Sequence, residues 1–473
     1  MIISQFLHPI RPGIMLTAIL SMTQFGFIFA DSAAQNLETP APTPVPILPV
    51  ADTHTSYTAP LEIVAELPLS TPPGNIAVVP SGRIFLSMHQ FHGSEYRAME
   101  LLPDGTTVPF PTEEWARAPK PDSPIGLNRV LGIEATTDGT VWILDNPADA
   151  QGAGKLVGWS VRNSQLLRVH YLPRPVIAKD AFLNDLAIDE KRQRIYITDT
   201  AAGTDAALIV VDSQTGVQRR VLEGHASMLP EDLDMVIDER TITLGEKPAR
   251  IGVNPITISP DFEWVYFGPM SGTSLYRIKA DVLSDFSAEA STLAAAVEKF
   301  ASKPICDGIA IDSAGYLYIS SITDQTIGII SPNGEYAPLY QDPLLSWADG
   351  FALGPNNSVY ATVNQLHRSA VLNGGTSAVQ GNLLVVKFPT VGSVEGAPDT
   401  LSTKSKARRS NRQADRPGQA PGASDRRTLP VPDDDAAGTE RPRRPLFPGA
   451  RPERPQGEEV PSRPQRPARP LQP

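Results

Sequence analysis

Over residues 61–388 the chain alternates short runs of β-branched and aromatic residues with breaks rich in Gly, Pro, Asp and Asn. Apolar runs of four to eight residues bounded by turn signals predict strands. The plainest example is Val253-Asn254-Pro255-Ile256-Thr257-Ile258-Ser259-Pro260-Asp261 running into Trp264-Val265-Tyr266-Phe267. It reads as two strands joined by a Pro-Asp turn, with a polar amide just before the first. The same plan returns at 74–86, 132–144, 184–197, 307–319 and 349–361, each with an oxygen-bearing residue at its opening. Six openings near residues 75, 133, 185, 255, 308 and 350 are spaced by about 40 to 70 residues, the range of propeller blades with loop insertions. The expected fold is therefore an all-β, six-bladed β-propeller.

Each blade needs four strands, and the last repeat supplies three, at 350–353, 358–363 and 382–388. Leu61-Glu62-Ile63-Val64-Ala65-Glu66-Leu67 is left over at the other end. Its pairing into the last blade would close the ring and remove an open edge. One segment departs from the strand pattern: residues 288–301 place Leu293, Val297 and Phe300 at helical spacing, which predicts a short amphipathic helix between blades four and five.

Prolines are concentrated at the two ends: 23 of the 47 lie in the 143 residues outside 61–390, about twice the density of the repeats. Residues 1–34 carry Arg11, an apolar run at 14–30 and Ser32-Ala33-Ala34, the layout of a secretory signal; the competing reading is one membrane anchor, for which about 17 residues is the lower limit. The expectation is a secreted or periplasmic protein with no transmembrane segment in its mature form. Residues 35–60 read as a Pro-rich linker, 61–390 as the propeller and 391–473 as a Pro- and Arg-rich tail too polar to offset the entropy of ordering. Residues 401–473 hold 16 Lys and Arg against 9 Asp and Glu, so the remainder is acidic, 25 against 43. An acidic body argues against nucleic acid as partner and suits cations. The basic tail could instead contact an anionic surface or a partner protein. Cys306 is the single cysteine, so no intramolecular disulfide forms.

Inner strands of a propeller run in one sense, so their opening residues converge on one mouth of the central channel. These are Asn75, Glu134, Asn184 with Asp185, Asn254, Asp307 and Asp349, a set of carboxylate and amide oxygens suited to an ammonium group or to a hard cation such as Ca²⁺ or another divalent ion. Asn184, Asn254 and Asp307 are the candidate metal ligands. Singly, such residues more often satisfy strand ends and turns. Trp347, two residues before Asp349, is the aromatic residue expected to face a ligand. His367 is the candidate acid-base group; His89 and His92 share a His-x-x-His spacing that suits a loop or surface role better than a metal site. Cys306 is expected to be buried as a small apolar group. Phosphate-loop, Gly-x-Ser-x-Gly and His-Glu-x-x-His motifs are absent from the sequence.

Asn128-Arg129-Val130-Leu131-Gly132-Ile133-Glu134 leading to Val141-Trp142-Ile143-Leu144-Asp145 resembles the signature of the yellow and major royal jelly protein family. So do Phe182-Leu183-Asn184-Asp185-Leu186-Ala187-Ile188-Asp189, Asn254-Pro255, and Trp347-Ala348-Asp349-Gly350-Phe351 with Asn364-Gln365-Leu366-His367, across residues 61–388. The resemblance implies a secreted six-bladed propeller; insect members are linked to dopachrome conversion, nutrition and capture of biogenic amines at the propeller centre. Lack of the insect proteins' cysteines and the added tail point to a bacterial-type exported relative. Residues 307–318 are also similar to a repeat of the gluconolactonase and senescence-marker group, metal-dependent lactonases of the same fold. That likeness matches Asn184, Asn254 and Asp307 to metal ligands, but puts Asn75 where the group has a glutamate, with Glu134 one blade later. The function expected is binding of an amine-, catechol- or sugar-like small molecule at the channel mouth. The alternatives are a metal-dependent lactonase or dopachrome-conversion-type isomerase, with His367 or a carboxylate as base, or an interaction platform whose tail carries the partner contacts.

Overall fold

The computed structural model describes Pro49, residues 59–201 and residues 204–393. The expected signal segment, nearly all of the linker and the tail beyond residue 393 lie outside the described residues.

Six four-stranded antiparallel sheets make up the propeller. Blade 1 runs through Pro73–Val78, Ile84–Met88, Ala98–Leu101 and Thr107–Pro109, and blade 2 through Val130–Ala135, Thr140–Asp145, Gly154–Ser160 and Gln165–Leu172. Blade 3 comprises Leu183–Asp189, Arg194–Asp199, Ala207–Asp212 and Gln218–Val221. Blade 4 comprises Val253–Ile258, Trp264–Pro269, Ser274–Lys279 and Glu298–Ser302. Blade 5 is Ile309–Ile311, Leu317–Ser321, Thr326–Ile330 and Tyr336–Gln341. Blade 6 takes Ala348–Gly354, Ser358–Val363 and Leu383–Pro389 from the end of the chain and Glu62–Leu67 from its start. Glu62 pairs with Lys387 and Leu67 with Leu383, so the ring closes by the expected strand.

Apolar side chains of each sheet fill the space to the next. Between blades 5 and 6, Tyr318, Tyr340, Phe351 and Phe388 bury Leu61 of the incoming chain. The Tyr318 hydroxyl donates to Asp312 Oδ2 at 2.8 Å and accepts from the Val391 amide at 2.8 Å, tying the end of the last strand to blade 5. Tyr318→Phe is expected to cost about 1–2 kcal/mol in denaturant unfolding, because both buried partners lose the hydroxyl.

The helix expected over 288–301 is shorter. Only Ala290–Ala295 is helical, with Leu293 buried against Leu283 and Tyr196, whereas 298–302 pairs with the third strand of blade 4. Phe300 meets Tyr266 edge to face at 5.1 Å. The sheet's need for a fourth strand overrides a helical period only a few residues long.

A bulge after the first pair of the inner strand sets the channel mouth. It falls between Pro73 and Ile76, Val130 and Ile133, Leu183 and Leu186, Val253 and Ile256, and Ala348 and Phe351. Asp307 and Gly308 hold the equivalent place just before Ile309 of blade 5. An unpaired bulge leaves amides without ladder partners, and second-strand hydroxyls receive them: Asn75 N donates to Ser87 Oγ, Asp185 N to Thr198 Oγ1, Asp307 N to Ser320 Oγ and Gly350 N to Thr362 Oγ1. Thr198 also donates to the Asn254 carbonyl of blade 4 at 3.0 Å, and Thr362 to the Gly74 carbonyl of blade 1, so the same hydroxyls join neighbouring blades.

Candidate binding site at the channel mouth

Two bulge residues per blade reach the mouth, and the polar groups are split between them. Asn184, Asn254, Asp307 and Asp349 hold the first position, where blades 1 and 2 have Gly74 and Leu131. Asn75 and Asp185 hold the second, which is Gly132, Pro255, Gly308 and Gly350 elsewhere. The single shared phase expected from the sequence is thus two phases. Asn75 is not in register with Asn184, Asn254 and Asp307. Glu134 belongs to neither position: it lies opposite Trp142, where the other blades carry Ala77, Ala187, Thr257, Ala310 and Ala352. That is two residues, about 6–7 Å, deeper along the strand.

The three glycines of the second position are required by crowding. A side chain at Gly308 would run into the Asp349 carbonyl oxygen, one at Gly350 into Asn75, and one at Gly132 would come within 2.9 Å of the Asn184 carbonyl oxygen.

At the first position the side chains form a directed relay across three blades. Asn184 Nδ2 donates to Asn254 Oδ1, Asn254 Nδ2 donates to Asp307 Oδ1 at 2.8 Å, and the Trp347 indole donates to Asp307 Oδ2 at 2.6 Å. Asn75 Nδ2 donates to Asp185 Oδ1 at 2.8 Å, and Asn364 Nδ2 to Asp349 Oδ2. Burial pushes the Asp185 carboxyl up to about 7, helped by the nearby Asp307 charge. Asp307 rises to about 6 through burial, opposed by the donors Trp347 and Asn254. Asp349 stands well above the ordinary carboxylate range, by burial and then by the charges of Asp307 and Asp185. Glu134 is raised likewise, by burial and then by Asp185. Among the described residues no lysine or arginine pairs with any of these four acids.

A divalent ion held by Asn184, Asn254 and Asp307 would need an oxygen from each. Here the Asn184 and Asn254 amide nitrogens donate to neighbouring oxygens, which joins the three side chains in a hydrogen-bonded chain. Among the described residues no three His, Cys, Asp or Glu side chains are grouped to hold a metal.

Trp347 lies beside the acids but is 1% exposed. Its backbone is left-handed, φ 61°, and its ring stacks on His367 at 5.9 Å. His367 Nε2 meets Asp238 Oδ2 at 3.2 Å, and burial lowers its pKa to about 4, so the ring is neutral at physiological pH. His89 is buried with its pKa lowered to about 3; His92, also lowered by burial, bonds the Asn364 carbonyl at 3.0 Å. Both belong to the mouth and not to an outer surface. Cys306 is buried, and its thiol is pushed up by burial.

The sequence reading missed what covers the ring. Residues 222–252, between the outer strand of blade 3 and the inner strand of blade 4, include the hairpin Val236–Ile237/Arg240–Thr241 and the smaller Thr243–Leu244/Lys247–Pro248. Met235, Ile237, Ile242 and Ala249 pack on Trp347, Ile305 and Leu366. The signal was present in the 69 residues separating Asp185 from Asn254, the longest interval between openings. Asn364 was also missed as the partner of Asp349; its Oδ1 and His367 Nδ1 are buried without hydrogen-bond partners.

Fold and mouth together define a six-bladed β-propeller whose inner strands bring four carboxyl groups into one covered channel end. Residues 130–352, from the inner strand of blade 2 to that of blade 6, match the Major royal jelly protein family model. No curated protein matches the sequence. Among solved structures, the chain is similar to a gluconolactonase of Xanthomonas campestris (14% identity, 73% of this chain and 94% of that one, TM-score 0.45). It is also similar to a calcium-binding regucalcin of Agrobacterium tumefaciens (12%, 71% and 95%, TM-score 0.42) and to virginiamycin B lyase of Staphylococcus aureus (15%, 70% and 99%, TM-score 0.42).

Proposed function

We propose that this chain is an exported binding protein for a small cationic molecule, an amine, held at the channel mouth by Asp185, Asp307 and Asp349 with Glu134 beneath them. The observation that carries this reading is the group of four acids at one channel end, Asp185 and Asp307 buried and Glu134 and Asp349 half-buried, with no cationic side chain paired to them among the described residues. Burying like charges together is unfavourable, and a bound cation is what would offset it. Trp347 and Asn364 would fix the carboxylates by donating to them. Export rests on the apolar segment at 14–30.

Calorimetric titration with tyramine, serotonin and a neutral sugar lactone tests the reading. Tyramine or serotonin is expected to bind and the lactone not to bind. Asp307→Asn should weaken the amine at least tenfold, about 1.4 kcal/mol. Absence of heat and of thermal stabilisation by every amine would sink the proposal. The metal-dependent lactonase reading requires the Asn184 and Asn254 amides to turn their oxygens inward. Lactone turnover that needs added Ca²⁺ and stops with chelator would establish that reading instead.

A further inference from the structure

We propose that residues 231–251 are a strap that must lift before a ligand can reach the acidic ring, with Asp238 as its latch. The inference rests on the binding reading above and adds the route of entry.

The strap leaves blade 3 and returns to blade 4, yet its tip is fastened on the far side of the mouth. Asp238 Oδ2 accepts from Arg368 Nη2 at 2.8 Å and from His367 Nε2 at 3.2 Å, both in the mouth loop of blade 6, and Asp238 Oδ1 accepts from Gln325 Nε2 of blade 5 at 3.2 Å. Arg240 adds Nη2 to the His367 carbonyl at 3.2 Å and Nη1 to Asn373 Oδ1. A segment rooted on one side and fastened on the other crosses the mouth. Beneath it Asn254, Asp307 and Trp347 are 4%, 5% and 1% exposed, while Asn184 and Asp349 are half-buried.

Root and tip differ in a way that assigns the moving part. At the root Glu231 receives the Thr273 amide at 2.9 Å and its hydroxyl at 2.8 Å, while Arg250 pairs with Asp232 and Asp234. Ion pairs at both ends are open to water, with Asp232 100%, Asp234 48% and Asp238 39% exposed, and such pairs are individually weak, so it is the backbone of the tip that sets it apart. The tip turn stores strain, since Asp238 and Glu239 both have left-handed backbones, φ 52° and 60°, at positions that a two-residue hairpin usually gives to Asn-Gly. The turn is held in that shape by what Asp238 grips.

The test uses the full chain with Asp238→Ala and, from the other partner, Arg368→Ala. Two readouts need no ligand. Hydrogen exchange at the amides of Ile242 and Ala249, which bond within the strap, should become at least tenfold faster while inner-strand amides keep their rates. Caesium-ion quenching of Trp347 fluorescence, taken as the difference from Trp347→Phe, should rise in both variants. In stopped-flow mixing, tyramine should associate at least fivefold faster with the variants. Unchanged exchange and quenching would overturn the strap, as would faster exchange with an unchanged association rate. Failure of tyramine to bind the wild type would instead count against the binding reading, and the exchange and caesium measurements would still decide whether the strap opens.

Discussion

Gly308→Ala is expected to cost about 3 kcal/mol or more in denaturant unfolding, or to prevent folding outright. A methyl group there would overlap the carbonyl oxygen of Asp349, and neither side can yield cheaply. Gly308 is held on one side by its amide bond to Ser320 Oγ at 3.3 Å. On the other, the inner strand of blade 6 is fixed by Gly350 N to Thr362 Oγ1 at 3.0 Å. The obstacle is backbone, so no rotamer change relieves it. Gly139→Ala is the control: that glycine sits in an open turn with φ 83°, and nothing lies within 4 Å of where the new methyl group would stand. It should lose only the left-handed backbone preference, about 1 kcal/mol. Comparable losses in the two variants would mean that the inner ring has room the geometry denies.

The second large effect is on pH dependence. A carboxyl whose folded pKa stands above its unfolded value takes up a proton on folding, so its contribution to stability is present below the unfolded value and lost as pH rises through the folded one. Asp307 titrates this way near 6 and Asp185 near 7, with Glu134 and Asp349 also raised. Buried neutral histidines act oppositely below about 6.5, since His89, His92 and His367 have folded values beneath that of the unfolded chain. Below about 6.5 the two sets oppose each other; above it the histidines no longer contribute, and stability declines as pH rises through the acids still protonated in the fold, Asp185 up to about 7 and Glu134 and Asp349 beyond it. Each proton released over one pH unit is about 1.4 kcal/mol, so the decline is on the order of 2 kcal/mol. Urea unfolding at pH 6 and pH 8 measures it, and Asp185→Asn with Asp349→Asn should flatten the slope. Tyramine should stabilise more at pH 8 than at pH 6, because it meets carboxylates already ionised. A stability that rises across that interval would remove the electrostatic basis of the binding reading.

Architecture was legible because it is written in counts. Six strand-turn-strand units, three strands in the last and one spare at Glu62–Leu67 leave one closed solution. The helix was misjudged where Val297 and Phe300 satisfy a helical period over too few residues to outweigh strand pairing. The mouth was half legible. Oxygen-bearing residues at strand openings do converge there, but the bulge that decides which of two adjacent residues leads has no side-chain signature of its own. Asn75 and Asn184 therefore looked equivalent, and Glu134 looked like a ring member. The better signal was Gly132, Gly308 and Gly350, small residues at one position in blades 2, 5 and 6. Nothing local in the sequence shows that Asp238 reaches His367 and Arg368, some 130 residues away.

Closure of blade 6 by Glu62–Leu67 also has a consequence in time. On the ribosome this strand emerges first, and the strand it pairs with, Leu383–Pro389, more than 300 residues later. At about 5–20 residues per second the wait is on the order of 15–60 s, during which five blades can form but the ring cannot close. For that interval Leu61, Ala65 and Leu67 lack the cover that blade 6 supplies, beside an unpaired backbone edge of the kind that templates aggregation. A chain that ends before Leu383 never covers them, and such a product is expected to be held by chaperones or degraded, however complete its first five blades.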